Sequence, residues 1–417
     1  MFEIDGKYYM YYTAATGDGG VLHGSVAVAD SPAGPFTNKI TDTVNGKKPV
    51  FDFGSNFPTI DGSLFIDDDG SMYYYFARDQ IGDNSSSGGN NSTRRSTIWG
   101  IQLENPYTIK AGAKPVKLTE VGRSTIDETG AFTQPWEVQD KNAMWNEGPY
   151  MLKHNGVYYL TYSANYFGSK YYSLGYAIST EPLGDFTKLP DGGAQIMGIT
   201  PGSKDNWDYF IGTGHAMFLK VGNEDYIVYH TLIPNTDVWR HFTIDSVGYR
   251  DDGTLYVNGP TLSAQKVPDV VSGVTNVAGK ATVTANNVKE DTLQYLTDGI
   301  TGAGKAYSSA ETKTNAGVST ITFTFDSPVE LSAIAVYNSA DYDQIFTSVA
   351  RIEIDGLYYI DDVKVLTDSY VKRTKQVYSG SAAILELSHA TKVQTITITF
   401  SSSDVVGISE VQILAKG

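Results

Sequence analysis

Apolar and polar residues alternate in short runs along this chain, and one arrangement of them occurs four times. Each occurrence has an alternating run, a turn that contains glycine with aspartate or asparagine, and a second alternating run rich in tyrosine. The four occurrences span residues 2–12, 65–75, 151–162 and 217–229. Alternation with period two indicates a strand with one buried face, and an Asx-Gly turn between two such runs is typical of a β-hairpin. The pattern therefore predicts four hairpins.

Related segments follow the first and third hairpins, and they extend the repeat. Residues 28–37 and 177–187 each contain a turn with proline, glycine and phenylalanine. Each unit then comprises a hairpin, a third strand and a turn that leads to an edge strand. The glycines of the four hairpin turns are separated by 64, 86 and 66 residues. Units of about four strands at this spacing are typical of propeller blades. The sequence therefore predicts an all-β fold that begins with a β-propeller, of which this chain holds four blades.

Polar sequence rich in valine and threonine follows the last propeller-like segment. Residues 319–326, 333–338 and 395–400 alternate with period two and show no helical period. Such a pattern predicts an antiparallel β-sandwich, of a size usual for one domain. We therefore predict a propeller domain over residues 1–267 and a sandwich domain over residues 268–417.

Composition narrows the class of partner. The formal net charge of −16 argues against nucleic acid and anionic membranes, because both require a basic surface. A neutral oligosaccharide or polysaccharide is compatible with this charge. No apolar run approaches the roughly 18 residues that indicate a membrane span. The chain contains no cysteine, which excludes disulfides, cysteine-zinc sites and thiol chemistry.

Polar residues stand immediately before three successive hairpins, at Asp61, Glu147 and His215. Because the innermost strand of each blade runs along the propeller axis, these three residues are expected to converge on one pocket. A single such residue would be explained as a turn former or a satisfied polar group, whereas three in register favour a functional pocket. Two carboxylates at a sugar-sized pocket indicate acid/base cleavage of a glycosidic bond. A negative Asp61 would raise the pKa of the Glu147 carboxyl and keep it protonated for donation to a leaving oxygen.

Four segments together resemble glycoside hydrolase family 43, namely residues 60–78, 146–163, 175–186 and 212–220. The resemblance implies a five-bladed propeller that hydrolyses α-L-arabinofuranosides, β-xylosides or some galactans with inversion. By position, Glu147 matches the family's general acid, and Asp61 matches the acidic residue that tunes the acid's pKa and orients the substrate. His215 matches an axial histidine that in some members lies beside a metal ion, often calcium. No cofactor is otherwise implied.

Substrate contacts are expected from His215 and from two aromatic residues, Phe65 within the first motif segment and Trp145 directly before the second. Arg240 falls near a substrate-contacting arginine of the family's last blade. The family's general base, an aspartate in an Asp-Pro segment that opens the first blade, has no counterpart in this sequence. Asp5 lies in a hairpin turn and Asp30 in an outer turn. We therefore expect a five-bladed propeller truncated at the N-terminus, with the base and any signal peptide in the missing first blade.

The C-terminal segment resembles a galactose-binding-like, discoidin-type module, in residues 296–299, 334–338 and 408–413. Such modules often bind sugars, with Tyr307, Tyr342 and Tyr370 as candidate contacts, although packing of these rings and a purely structural role for the domain are equally open. The sequence thus predicts an extracellular or periplasmic hydrolase of plant cell-wall polysaccharide side chains or oligosaccharides, of the α-L-arabinofuranosidase or β-xylosidase type. The alternative is a non-catalytic carbohydrate-binding propeller, because the general base is absent.

Overall fold

The computed structural model of the chain is built almost entirely of β-strands. The structure describes residues 1–15, 21–43, 46–54, 57–80, 94–128, 130–140, 143–190, 194–198, 200–201, 208–233, 240–261, 263–302, 310–366, 377 and 380–416. Helices within these ranges are short: α1 (Asp269–Ser272) and the 3-10 helices Pro135–Val138, Ala278–Lys280, Glu290–Leu296 and Tyr342–Gln344. No helix in the described part of the chain is long and apolar enough to cross a membrane. The predicted all-β class is confirmed.

The first sheet contains the first repeat unit. Its strands follow the chain order, β1 (Phe2–Ile4), β2 (Lys7–Ala15), β3 (Leu22–Ala29), β4 (Thr37–Thr43) and β5 (Gly46–Pro49). β1 and β2 pair antiparallel around the Asp5-Gly6 turn, which confirms the first hairpin.

The second sheet combines the second and third units. The second unit supplies β6 (Ile60–Ile66), β7 (Met72–Gln80), β8 (Arg94–Asn105), β9 (Thr108–Ile109) and β10 (Val116–Lys117). The third supplies β11 (Ala143–His154), β12 (Val157–Ala164), β13 (Ser173–Ser179) and β14 (Gln195–Met197). The order is β14-β13-β12-β11-β8-β7-β6, with β9 and β10 on β8. The two units are joined because the start of β11 pairs parallel with the start of β8.

The fourth unit forms a third sheet, with strands in chain order: β15 (Thr200–Pro201), β16 (Asp208–Val221), β17 (Glu224–Leu232), β18 (His241–Tyr249) and β19 (Leu255–Val257). The described chain divides into two compact units, and the long strand β16 contributes to both. The first unit is Met1–Gly198 with Gly212–Met217, and the second is Ile199–Ile211 with Phe218–Gly417. The boundary proposed between residues 267 and 268 stays a prediction.

The C-terminal part forms an eight-stranded sheet. Its strands are β20 (Val274–Asn276), β21 (Thr282–Asn286), β22 (Thr312–Lys313), β23 (Gly317–Asn338), β24 (Ser348–Ile354), β25 (Leu357–Lys364), β26 (Ala382–Ser402) and β27 (Gly407–Lys416). The buried faces enclose a core of aliphatic residues and phenylalanine that includes Phe323, Ile334, Ile398 and Val411. The predicted sandwich strands are therefore present. Tyr307 and Tyr370 lie outside the described residues, as does the side chain of Tyr342, so their sugar contacts stay predictions.

Stacked aromatic rings fill the core of the first unit next to the predicted pocket. Tyr74 is fully buried and stacks on Phe51, with ring centroids 3.6 Å apart. A Cβ added to Gly62 would lie 1.8 Å from the Tyr74 hydroxyl oxygen. Only glycine allows the backbone after Asp61 to approach this ring, so the Asp-Gly pair fixes where β6 passes the core.

Candidate active site

A cavity of about 390 Å³ opens in the first compact unit, which comprises Met1–Gly198 and Gly212–Met217. Most of its wall is aromatic or polar, and the lining residues include Phe2, Tyr11, Tyr12, Thr13, Asp61, Ser63, Gly148, Tyr150 and His215. Aromatic faces with a few convergent polar groups are the usual composition of a small-molecule site. The cavity lies where the repeat analysis expects a pocket.

Asp61 lies at the start of β6 with its carboxylate on this cavity. Its φ of 57° is in the left-handed region, which costs a residue other than glycine about 1–3 kcal/mol. The backbone amide of Asp61 donates to Thr13 Oγ1 at 3.1 Å. Its carboxylate Oδ2 accepts from the amide of Gly148 at 3.2 Å. These two bonds hold Asp61 in a strained conformation that brings its carboxylate to the segment of Glu147.

His215 reaches the same place from β16. It also has a positive φ, 53°, and its imidazole packs on Gly148, where an added Cβ would lie 3.3 Å from the histidine Cγ. The amide of His215 donates to Ser163 Oγ at 2.6 Å. Asp61 and His215 therefore both have a strained backbone, and both contact Gly148. Backbone strain of this kind concentrates at functional sites.

Glu147 lies on β11, opposite Ser163 of β12, directly before a shift in the strand register at Gly148-Pro149. It is 6% exposed, and the cavity wall begins at the next residue, Gly148, rather than at Glu147 itself. Its Oε1 accepts a hydrogen bond from the Tyr172 hydroxyl at 2.8 Å. Burial, then the negative charges of Glu147 and Asp61, raise the pKa of Tyr172 well above its ordinary value. Tyr172 is therefore a neutral donor to the carboxyl.

The remaining predicted contacts lie elsewhere. Phe65 is at the other end of β6, and its ring packs on Tyr158 at 6.0 Å and on Tyr75 at 6.5 Å between centroids. It is not among the residues of the cavity wall, and its predicted contact with substrate stays a prediction. Trp145 is buried and stacks on Phe167, with centroids 5.9 Å apart.

Arg240 belongs to the second compact unit, where it is exposed and directly precedes β18. Its neighbours Val238 and Trp239 lie outside the described residues. Its predicted contact with substrate stays a prediction.

The calcium ion predicted beside His215 stays a prediction. Among the described residues, no group of three or more His, Cys, Asp or Glu side chains is placed to hold a metal ion. Calcium prefers six to eight oxygen ligands, and His215 faces the cavity beside a single lining carboxylate, Asp61. We therefore derive no step through a metal.

Two residues of the site carried no signal in the sequence. Ser163 and Tyr172 are both buried near Glu147. In the sequence, however, each belongs to an ordinary aromatic strand or loop. In regular register, the hairpin turn at Asn155-Gly156 would place Ala164 opposite Glu147, and the shift between Glu147 and Tyr150 brings Ser163 there instead. Tyr172 lies in a loop before β13, and no repeat position indicates it.

Comparison with known proteins identifies the family of the chain. Residues 1–255 match the family described as glycosyl hydrolases family 43. The chain belongs to this family. The match includes Asp61, Glu147 and His215, and the predicted resemblance to the family is confirmed, as is the assignment of the chain as a glycoside hydrolase.

Curated relatives in the family cover the same region. A "Beta-xylosidase" of Xylanibacter ruminicola is 29% identical over 278 residues, which are 61% of this chain and 71% of the relative. A "Xylosidase/arabinosidase 43A" of Humicola insolens is 28% identical over 271 residues, which are 61% of this chain and 72% of the relative. Among solved structures, a thermostable family-43 glycoside hydrolase shows 33% identity and a TM-score of 0.49, covering 63% of this chain and 75% of its own.

Proposed function

We propose that this glycoside hydrolase acts with inversion on side chains or oligosaccharides of plant cell-wall polysaccharides, with α-L-arabinofuranosyl or β-xylosyl units as substrates. Glu147 is the general acid, which protonates the leaving oxygen while the glycosidic bond breaks. Asp61 raises the pKa of that acid and orients the sugar. Relatives described as a β-xylosidase and a xylosidase/arabinosidase support this choice of substrate. Such substrates imply an extracellular or periplasmic location.

One observation carries the proposal. The Asp61 carboxylate accepts from the Gly148 amide, and the His215 ring packs on the same glycine. Residues from three repeat units therefore meet within one residue of Glu147. A neighbouring carboxylate disfavours the ionised form of a buried acid, which is the environment a general acid requires near neutral pH.

The alternative is a carbohydrate-binding propeller without catalysis. It is favoured by the cavity wall, where Asp61 is the single carboxylate among the described lining residues. Inversion also needs a base about 6.5–9.5 Å from the acid, and no residue of this chain is assigned that role.

Hydrolysis of 4-nitrophenyl α-L-arabinofuranoside, the corresponding β-xyloside and arabinoxylan oligosaccharides by the full chain separates the two functions. Proton NMR at early times identifies the anomer released, and inversion requires the opposite anomer to that of the substrate. Saturable binding of the oligosaccharides in calorimetry, with no product formed, would support the binding protein instead.

A further inference from the structure

A line of hydrogen bonds ends on Glu147, and no part of the proposed function uses it. The backbone amide of His215 donates to Ser163 Oγ at 2.6 Å. The Ser163 hydroxyl also bonds to the Tyr172 hydroxyl oxygen, and the Tyr172 hydroxyl donates to Glu147 Oε1 at 2.8 Å. The Tyr172 hydroxyl has one hydrogen, which it donates to Glu147, so Ser163 donates its own hydrogen to the Tyr172 oxygen. Every donor in this line therefore points toward Glu147.

The line is enclosed by protein. Ser163 and Tyr172 are both fully buried. An added Cβ on Gly214 would lie 2.5 Å from Tyr172 Cε1 and 2.8 Å from Ser163 Oγ, so the backbone of β16 covers both groups directly. Hydrogen bonds in series polarise one another, and burial keeps competing water away. The final bond, to a carboxyl group, is the strongest in such a series because it is charge-assisted once the carboxyl ionises.

We propose that Tyr172, supported by Ser163, is a positioning residue for the general acid: its hydroxyl donates to Oε1 of Glu147, so that the transferable proton resides on Oε2. This inference rests on the proposed role of Glu147. As the proton passes from Oε2 to the leaving oxygen, the electron pair of the glycosidic bond goes to that oxygen and the carboxylate becomes negative. Tyr172 then donates to a full charge, so its bond is stronger in the transition state than before it.

The charged groups around Glu147 determine which way its titration moves. Asp61 of β6 opposes ionisation, whereas the Tyr172 hydroxyl favours it. Among the described residues, the other titratable and charged groups that contact this part of β11 include His215 of β16, which packs on Gly148, and the pair Glu137 and Lys188. The last two bind each other on the Asn146 side of the strand. Removal of the Tyr172 hydroxyl should therefore raise the midpoint of the Glu147 titration, and removal of the Asp61 charge should lower it.

The test is a pH titration of the full chain labelled with carboxyl-¹³C glutamate. The Glu147 signal is assigned by its loss in Glu147→Gln. In Tyr172→Phe, which keeps the ring, we expect the midpoint to rise by about one unit or more, because a hydrogen bond to a charged group is lost. In Ser163→Ala we expect a smaller rise. Asp61→Asn should move it in the opposite direction.

Tyr162→Phe is the matched control. Tyr162 is also fully buried, and its hydroxyl donates to a carboxylate, Glu137 Oε1, at 2.6 Å. The control variant loses the same kind of bond from a different glutamate, so it should leave the Glu147 midpoint in place. If Tyr172→Phe does not fold, the Ser163→Ala shift decides. An unchanged or lowered midpoint in the folded variants overturns the inference.

Kinetics then separate this inference from the proposed function. With unactivated oligosaccharides, Tyr172→Phe should lose about 10- to 100-fold in kcat, since one charge-assisted bond made in the transition state is missing. With 4-nitrophenyl glycosides the loss should be smaller. A shifted titration combined with full activity of Glu147→Gln would refute the acid assignment while leaving the hydrogen-bond line established. No shift, with an inactive Glu147→Gln, would refute only the role of Tyr172.

Discussion

Two buried glutamates lie on opposite sides of strand β11, and their surroundings differ in kind. Glu137, on the 3-10 helix Pro135–Val138, is fully buried and binds Lys188 Nζ through both oxygens, at 2.9 and 2.8 Å. The Tyr162 hydroxyl, the Gly122 amide and the Asn146 side-chain amide also donate to it. Glu147 accepts from Tyr172, and the carboxylate near its strand is that of Asp61.

We propose that this difference separates a structural carboxylate, Glu137, from a reactive one, Glu147. A buried charge is tolerated when a cation and several donors compensate it, and Glu137 has both. Such a group is held in one ionisation state and has no free face for a substrate. In its proposed role, Glu147 instead keeps a proton at the edge of a cavity, because the nearby Asp61 carboxylate disfavours the ionised form. Burial of a glutamate alone would not have distinguished the two; the sign of the neighbouring charge does.

The largest effect is expected from Glu147→Gln. The amide is nearly isosteric but cannot donate an acidic proton, so kcat/KM with unactivated oligosaccharides should fall by about 10²–10⁴-fold. Glycosides with good leaving groups need less protonation and should lose less. Initial rates on both substrate classes measure the difference.

Glu137→Gln is the control for this prediction. It should lower stability while preserving the ratio between the two substrate classes. Equal losses on both classes in Glu147→Gln would count against the acid role.

Lys188→Met tests the structural role of Glu137. The variant leaves Glu137 buried without its cation, which typically costs about 3–5 kcal/mol in the free energy of unfolding. Urea denaturation followed by tryptophan fluorescence measures the loss. The double variant Glu137→Gln with Lys188→Met removes both charges and should recover most of the stability. A single variant within about 1 kcal/mol of the parent would show that the pair is not needed to hold the charge.

Asp245 on β18 adds a third type of buried carboxyl, surrounded by neutral donors from Tyr229, Thr261 and Gln265. Burial raises its pKa from 3.8 to about 7, and the hydrogen bonds from Thr261 and Tyr229 oppose this rise. The folded chain therefore holds this proton where the unfolded chain has released it, so stability falls as pH rises from about 4 to about 7.

We expect Asp245→Asn to remove this dependence. Between pH 5 and pH 8 the parent should lose on the order of 2–3 kcal/mol of unfolding free energy relative to the variant. Urea midpoints of both proteins across this range provide the measurement. A difference between them that stays constant with pH would show that Asp245 is ionised throughout.

The smallest effect on activity is expected for Asp61→Asn. Without the neighbouring negative charge Glu147 becomes a stronger acid, and the alkaline limb of the kcat/KM profile should move down by about one pH unit. The profile is measured with an unactivated substrate, for which protonation limits the rate. Ser63→Ala, which loses a buried hydrogen bond to the Pro149 carbonyl, serves as the control for local disturbance. A limb that moves equally in both variants would remove the electrostatic role of Asp61.

The sequence alone determined the hairpins and three positions of the site. Both depend on local rules, because period-two alternation and an Asx-Gly turn act within about ten residues. Repetition then placed Asp61, Glu147 and His215 at equivalent points, and the structure brings Asp61 and His215 to the cavity and Glu147 to its edge. Phe65, predicted from the same motif, is not among the residues of the cavity wall. It lies four positions after Asp61 on β6, at about 3.3 Å per residue, and β6 changes register between Ile60 and Ser63.

Tertiary structure decided what surrounds each carboxyl. The partner of Glu147 is Tyr172, 25 residues away, and the partner of Glu137 is Lys188, 51 residues away. Neither distance follows from a periodic pattern, because each depends on how the loops between strands return to the sheet. The sequence could therefore single out Glu147 by its place in the repeat. Packing decides whether a cation compensates a glutamate, as at Glu137, or a hydroxyl holds it near a second carboxylate, as at Glu147. Charge and burial act through space and not along the chain.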